Sequence, residues 1–150
     1  MGKRGKARRG RKRRPRWSMR LTRAASYALH AMTHIASAKD DKPTPSHAIA
    51  KAHRIPERFL LKVLKPLVGA GLLVSVKGPR GGYRLAKPAR QITVLQIIEA
   101  VEGPIRGINA FHSGGPINSV ERKLDAICTQ AAQQLRKHLE AIRLSSLLEP

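Results

Sequence analysis

The chain has 150 residues, 41% of them hydrophobic, which suits one compact domain with an apolar core plus an appendage. Its 30 Lys and Arg against 9 Asp and Glu give a formal charge of +21, which favours nucleic acid as a partner and leaves few carboxylates for acid–base catalysis. The single cysteine excludes an internal disulfide framework, and because no apolar run suits a membrane span or a signal peptide, a cytoplasmic protein without membrane association is expected.

Residues 1–18 form a separate compositional block. They contain ten Lys or Arg and no acidic residue, and they show no apolar period, so they are predicted to be a disordered basic arm. The alternative is that the native chain starts at Met19. Removing these ten charges from +21 leaves +11, so the preference for a polyanion does not depend on the arm.

Two helices are predicted next. From Thr22 to about Ala38, apolar residues recur at spacings of three and four, which places one apolar stripe on a helix with Thr22 as its N-cap. After a charged, proline-bearing loop, Thr44 as the cap and Pro45 as the first helical residue predict a short helix through Ala52.

A third helix is predicted to begin at Pro56 and to end before Gly69, with Pro66 kinking or shortening its last turn. The apolar residues expected to be buried are Phe59, Leu60, Val63, Leu64, Leu67 and Val68. The opposite face carries Glu57, Arg58, Leu61, Lys62 and Lys65. Two short helices joined by a tight turn, the second with a basic outer face, indicate a helix-turn-helix, whose second helix lies in the major groove of DNA.

A β-hairpin is predicted after the third helix. Two extended runs, 72–77 and 83–86, flank the turn Gly-Pro-Arg-Gly-Gly at 78–82. Such a tip is typical of a wing, in which glycines let the backbone approach phosphates while Arg80 enters a minor groove. Taken alone, a glycine-rich turn is equally consistent with a simple turn.

Two further helices complete the chain. Thr93 caps a helix that Gly103 stops, and residues 105–117 form a loop. A long helix then starts at the N-cap Asn118, with Glu121 at the capping-box position. Its apolar stripe comprises Val120, Leu124, Ile127 or Cys128, Ala131, Leu135, Leu139 and Ile142. So long a stripe predicts pairing with a second copy, the alternative being packing on its own domain.

In chain order, the segments MRLTRAASYALHAM, HRIPERFLLKVLKPLVGAGLL, VSVKGPRGGYRLAKP and ITVLQIIEAVEGP closely resemble the Rrf-type regulators, a family that includes IscR, NsrR and CymR. The resemblance covers residues 19 to about 104, and the wing motif KGPRGGYRLAKP is its most specific part. It implies a mainly α fold with a β-hairpin wing (α+β), in which residues 19–104 form a winged helix-turn-helix DNA-binding domain, 105–117 a linker or sensor loop and 118–150 a dimerisation helix and C-terminal segment.

The resemblance further implies a homodimer that binds double-stranded DNA at a palindromic operator, acting as a repressor. It assigns base contacts to Arg58, Leu61 and Lys62, with Lys65 beside them, and phosphate contacts to Arg20, Thr22 and Arg23. The wing residues implied to contact DNA are Lys77, Arg80, Gly81, Gly82, Tyr83 and Arg84. The dimer contacts implied on the last helix are Val120, Leu124, Ile127, Ala131, Leu135 and Leu139.

Two departures from the family pattern matter. Cluster-binding members usually carry Glu or Gln where this chain has Leu61, and an aliphatic side chain cannot accept a hydrogen bond from cytosine, although it can contact a thymine methyl. Many members also hold an iron–sulfur cluster with three cysteines before the long helix, but residues 103–127 contain none. No cluster or other cofactor is therefore expected.

Other interpretations rest on less. His30 and His34 share a helix face, but two ligands do not make a metal site, so no metal is expected. Cys128, expected to be a buried small hydrophobe, is alternatively a redox switch. A small-molecule effector at the 105–117 loop would involve Phe111 and His112. The remaining alternative is nonspecific nucleic-acid binding driven by the basic arm. Because no catalytic motif is present, an enzyme is not expected.

Overall fold

The computed structural model describes residues 19–40, 42–110 and 114–149. The helices are α1 (Arg23–Ala36), α2 (Ser46–His53), α3 (Glu57–Gly69), α4 (Val94–Glu102) and α5 (Ser119–Ala141). The strands β1 (Leu73–Val76) and β2 (Gly82–Leu85) form one antiparallel hairpin, and short 3₁₀ turns lie at Ala89–Gln91 and Leu144–Leu147. The mainly α fold with a β-hairpin wing is confirmed, while the predictions for residues 1–18, Phe111 and His112 lie outside the described residues. No described helix is long and apolar enough to span a bilayer.

One apolar core holds α1, α2, α3 and α4 together. The largest fully buried side chains are Met32, Ile49, Leu60, Leu64, Leu67, Leu72, Leu73, Ile92, Ile97 and Leu144. Full burial of each such side chain stabilises a fold by roughly 1.5–3 kcal/mol. Because Leu60, Leu64 and Leu67 fill the inner face of α3, its outer face is fixed towards solvent.

Three predicted helix caps are confirmed. The Thr22 hydroxyl accepts a hydrogen bond from the backbone N–H of Ala25 at 3.1 Å. Thr93 forms a reciprocal capping box with Gln96, as Asn118 does with Glu121. Caps of this kind satisfy N–H groups that the helix itself leaves unpaired, which is why they can be predicted from local sequence.

The predicted cap at Thr44 is wrong. Pro45 occupies the N-cap position of α2, and Thr44 instead pairs with Tyr83 of β2 through two backbone hydrogen bonds of 2.8 and 2.9 Å. Thr44, in the loop before α2, thus pairs with the free edge of the β1–β2 hairpin. This pairing joins the hairpin to the start of α2. The first helical residue is consequently Ser46, one position later than predicted.

The third helix also differs in detail. It starts at Glu57 with Pro56 as its N-cap, and it continues through Pro66 to Gly69, so the proline does not shorten it. Phe59, predicted to be buried, is 40% exposed, because the core contacts of this turn are made by Leu60 and Val63.

The C-terminal segment returns to the winged domain. Val94 donates to the carbonyl of Ile142 and Leu144 donates to the carbonyl of Ile92, at 2.9 and 2.8 Å. Leu139 and Ile142 pack against the small cluster formed by Ala25, Val94 and Ile98. The end of α5 is therefore anchored on its own domain.

Gly82→Ala is expected to destabilise the wing. Gly82 has a φ of +152°, and a Cβ added there would lie 2.4 Å from the carbonyl oxygen of Thr44. Since both groups are held by backbone pairing, we expect a loss of unfolding free energy of about 1–3 kcal/mol in thermal or urea denaturation. Gly69→Ala is the control, because a Cβ there meets nothing within 4 Å. Equal stability of the two variants would contradict the close approach.

Candidate nucleic-acid interface

The turn between α2 and α3 orients the predicted recognition helix. Arg54 adopts the left-handed conformation with φ 53°, and the buried Ile55 donates to the carbonyl of Ala50 at 3.0 Å. The hydroxyl of Ser46 donates to the Glu57 carboxylate at 2.7 Å, so the acidic residue of the first turn of α3 is engaged with α2. This arrangement is a helix-turn-helix.

The outer face of α3 presents the predicted DNA-contacting residues together. Arg58, Leu61, Lys62 and Lys65 are all exposed. Neither the Asp40–Lys42 nor the Glu99–Arg136 ion pair uses a cation of this face. The outer face therefore presents three cations and the aliphatic side chain of Leu61 to any surface that it meets, which suits a DNA groove.

Phe59 adds a contact that the sequence pattern missed. The Arg58 guanidinium carbon lies 4.6 Å from the centroid of the Phe59 ring, and the Lys62 ammonium nitrogen lies 5.8 Å from it. Both distances fall within the range of cation–π attraction. The sequence signal for this contact is a cation one residue before the aromatic residue and another three residues after it. The direction in which the ring turns, however, depends on how α1 packs beside it.

The predicted phosphate contacts lie at the start of α1. Arg20, Thr22 and Arg23 are exposed. The Thr22 hydroxyl caps α1 and also donates to the Glu102 carboxylate, so its proton is already committed within the chain. Arg20 and Arg23 are the stronger candidates of this group.

The wing residues divide into two groups. Lys77, Arg80 and Arg84 are exposed, whereas Gly81, Gly82 and Tyr83 are half-buried. Tyr83 packs against the core and its backbone pairs with Thr44, so it anchors the hairpin. A Cβ on Gly81 would lie 2.2 Å from the carbonyl oxygen of Val76, which explains why the tip needs glycine there. Arg80 is left at the tip to reach outward.

The predicted dimerisation stripe on α5 is split by its surroundings. Val120 and Ile127 are 60% and 61% exposed and Leu124 is 42% exposed. Ala131 is exposed as well, while Leu135 and Leu139 are half-buried, and Leu139 packs towards α4. The end of the predicted seam thus packs on its own domain, and its beginning is exposed in the single chain.

The start of the 105–117 loop is held against α4 and α5. The N–H of Ile105 donates to the Glu99 carboxylate at 2.8 Å, and Arg136 of α5 pairs with the same carboxylate. A Cβ on Gly107 would lie 1.9 Å from the carbonyl oxygen of Cys128, so this part of the loop touches the α5 backbone. Cys128 itself is half-buried.

A histidine cluster lies behind the helix-turn-helix. His53 at the end of α2 lies 3.2 Å from His34, ring nitrogen to ring nitrogen, and its ring centroid lies 5.1 Å from that of His30. Burial and then the neighbouring His34 and His30 lower the pKa of His53. Within residues 19–40, 42–110 and 114–149, no three His, Cys, Asp or Glu side chains are placed to hold a metal ion.

Acidification is expected to destabilise the domain through His53. Because its pKa is lower in the folded chain than the 6.5 of a free histidine, the unfolded state binds the proton more readily. Stability should be full above about pH 6.5 and fall as the pH drops from there through the folded-state pKa. Thermal melts of the wild type and His53→Gln should show a weaker pH dependence in the variant. The exposed His47→Gln is the control, and an unchanged slope in His53→Gln would contradict the assignment.

Comparison with known proteins identifies the family to which the chain belongs. Residues 21–150 match the family model Rrf2, described as "Iron-dependent Transcriptional regulator". The sequence contains one cysteine, Cys128. The chain is 36% identical to protein aau3 of Rhizobium meliloti over 96 residues, which are 64% of this chain and 62% of that protein.

Two further similarities cover more of the chain. A putative HTH-type transcriptional regulator of Mycobacterium tuberculosis is 28% identical over 86% of this chain and 81% of its own length. The solved structure of CymR, the global cysteine regulator of B. subtilis, superposes with a TM-score of 0.71 at 26% identity, covering 87% of this chain and 97% of that one. The chain therefore belongs to the Rrf2 family and is a DNA-binding transcription regulator with a winged helix-turn-helix fold.

Proposed function

We propose that the protein acts in the cytoplasm as a homodimeric repressor on a palindromic operator, with α3 in the major groove and the wing tip in the minor groove. The observation that supports this most is the exposed array of Arg58, Leu61, Lys62 and Lys65 on the outer face of α3, next to a hairpin with Arg80 at its tip. Two-fold symmetric dimers bind half-sites about one helical turn apart.

The side chains of α3 suggest which DNA bases the protein recognises. Arg58 and Lys62 donate hydrogen bonds, and the acceptors they suit are O6 and N7 of guanine. Leu61 donates nothing, and its exposed aliphatic surface suits the methyl group of thymine. The operator half-site is therefore expected to combine guanine with thymine.

The exposed part of α5 supports the dimer. Val120, Leu124 and Ile127 form an apolar surface that the described residues do not cover, and Ile108 and Ile117 in the preceding loop are exposed as well. Monomers rarely leave such contiguous apolar patches in water. Packing this surface against the same surface of a second copy would bury both in an isologous interface. We further propose that no iron–sulfur cluster is bound, because the chain has only Cys128 to offer.

Selection from a random duplex pool tests the specificity. The protein, and a version beginning at Met19, should both enrich one palindromic sequence. Loss of residues 1–18 should lower affinity for all duplexes and leave the ratio of affinities for selected and random sequences unchanged. The reason is that the charges of the basic arm attract phosphates, which are the same in every sequence. A pool that stays unenriched would indicate nonspecific binding driven by charge.

Arg80→Ala is expected to weaken operator binding about tenfold and to reduce the slope of log affinity against log salt by about two, one for each subunit of the proposed dimer. The reason is that an exposed guanidinium at a wing tip enters the narrow, electronegative minor groove. Fluorescence anisotropy titrations at several salt concentrations measure both quantities. Lys137→Ala, exposed on α5, should change neither. An Arg80→Ala variant with wild-type affinity for every duplex would show that the wing makes no such contact.

A further inference from the structure

A cavity of about 390 Å³ opens between the first half of α1 and the outer side of α3. Its lining from α1 consists of Arg23, Ala24 and Tyr27. Its lining from α3 consists of Pro56, Phe59, Lys62 and Val63. The volume lies within the range of cavities that hold small molecules, about 300–1,000 Å³.

The walls of this cavity are mostly carbon. Tyr27 and Phe59 place two aromatic rings in it, and Ala24 and Val63 provide its aliphatic lining. Phe59 is 40% exposed although neighbouring apolar residues of α3 are buried, so a large ring is held at the cavity and left open to water. An apolar lining with two aromatic rings favours a flat apolar ligand.

The charges at the cavity all have one sign. Arg23 lies on the α1 side and Lys62 on the α3 side, and Arg58 stacks on the Phe59 ring at 4.6 Å. No acidic residue is among the lining residues. Charge complementarity therefore selects a ligand with an anionic group.

We propose that this cavity binds an aromatic carboxylate, with the ring against Phe59 and Tyr27 and the carboxylate between Arg23 and Lys62. Both cations are also assigned to the DNA interface, so ligand and operator compete. The competition rests on the proposed function, whereas binding of the ligand does not. By linkage, the ligand weakens the operator complex by the same factor by which the operator weakens the ligand.

Calorimetric titration of the full chain with 1-naphthoate tests the binding. We expect a dissociation constant on the order of 0.1 mM, as befits a ligand of this size. The neutral 1-naphthamide should bind at least about tenfold more weakly, since it lacks the charge that Lys62 and Arg23 attract. Equal affinity of the two probes, or no heat from either, would overturn the proposal.

Three variants locate the site. Ala24→Met fills the cavity and Lys62→Met removes one charge at similar length, so each should weaken 1-naphthoate binding at least about fivefold. Lys65 lies about one helical turn after Lys62 and does not line the cavity. Lys65→Met should therefore keep ligand binding while lowering operator affinity. Circular dichroism and thermal unfolding check that each variant is folded. Wild-type ligand binding in both Ala24→Met and Lys62→Met would place the ligand elsewhere and overturn the proposal.

Anisotropy measurements on a selected operator separate the two claims. Adding 1-naphthoate at ten times its dissociation constant should raise the apparent operator dissociation constant about a hundredfold, because the ligand competes directly at both cavities of the proposed dimer. A ternary complex with unchanged operator affinity would overturn the competition. Failure of ligand binding with intact operator binding would overturn the ligand site alone and leave the proposed function standing.

Discussion

Ile127→Glu is expected to convert the proposed dimer into monomers. Ile127 is 61% exposed in the single chain, so the carboxylate costs little in the monomer, but in an isologous seam it would be buried beside apolar groups. The mass in solution should fall from twice 16.5 kDa to 16.5 kDa. Sedimentation equilibrium measures this directly.

Operator binding should fall with the dimer. Two half-sites bound by one linked pair gain avidity of about 10² to 10⁴ over a single winged domain. We therefore expect at least about a hundredfold loss of affinity for a palindrome and a small change for an isolated half-site. The urea midpoint, measured at concentrations at which both proteins are monomeric, should stay close to that of the wild type.

Ala126→Glu is the matched control for this experiment. Ala126 is exposed on the same helix and adjacent in sequence, but its side chain points well away from the Val120–Leu124–Ile127 surface because neighbouring residues are about 100° apart around a helix. It should remain dimeric and bind the operator. If Ile127→Glu remained dimeric as well, the dimer would have to use another surface, and the assignment of this stripe would be wrong.

Local features of this fold could be predicted from sequence, since their causes are local. The caps at Thr22, Thr93 and Asn118 each depend on a hydrogen bond to a residue three positions away. The hairpin depends on the turn at 78–82 between two short apolar runs. The exposure of Arg58 and Lys62 follows from the helical period, once the buried face of α3 is known.

Features created by distant contacts could not be predicted. Thr44 has the composition of a cap, but its backbone pairs with Tyr83, almost forty positions away, and this pairing depends on how the wing packs. Phe59 lies at the edge of the apolar face, so its exposure depends on the place of α1. The hydrogen bond between Val94 and Ile142 joins residues 48 positions apart, and the local periodicity of the sequence contains no information about it.

Arg58→Ala and Lys62→Ala are each expected to lower affinity for the selected operator by about 10- to 100-fold, because a bidentate or well-placed contact to a guanine edge is worth about 1–3 kcal/mol. Affinity for a random duplex should fall much less, about threefold, since only one phosphate-attracting charge per subunit is lost. The specificity ratio, not the affinity alone, is thus the quantity that identifies a base contact. Anisotropy with both duplexes at one salt concentration measures it.

The stacking of Arg58 on Phe59 makes this prediction sharper. A guanidinium already held over a ring loses less conformational freedom when it binds a base, so Phe59→Leu should lower the specificity ratio although it removes no charge. Phe59→Tyr keeps the ring and should retain the ratio. Lys65→Ala should lower affinity for both duplexes alike if it contacts phosphate. Should Arg58→Ala and Lys62→Ala behave in the same way as Lys65→Ala, α3 would be a helix that holds the DNA backbone, and the bases would have to be read elsewhere.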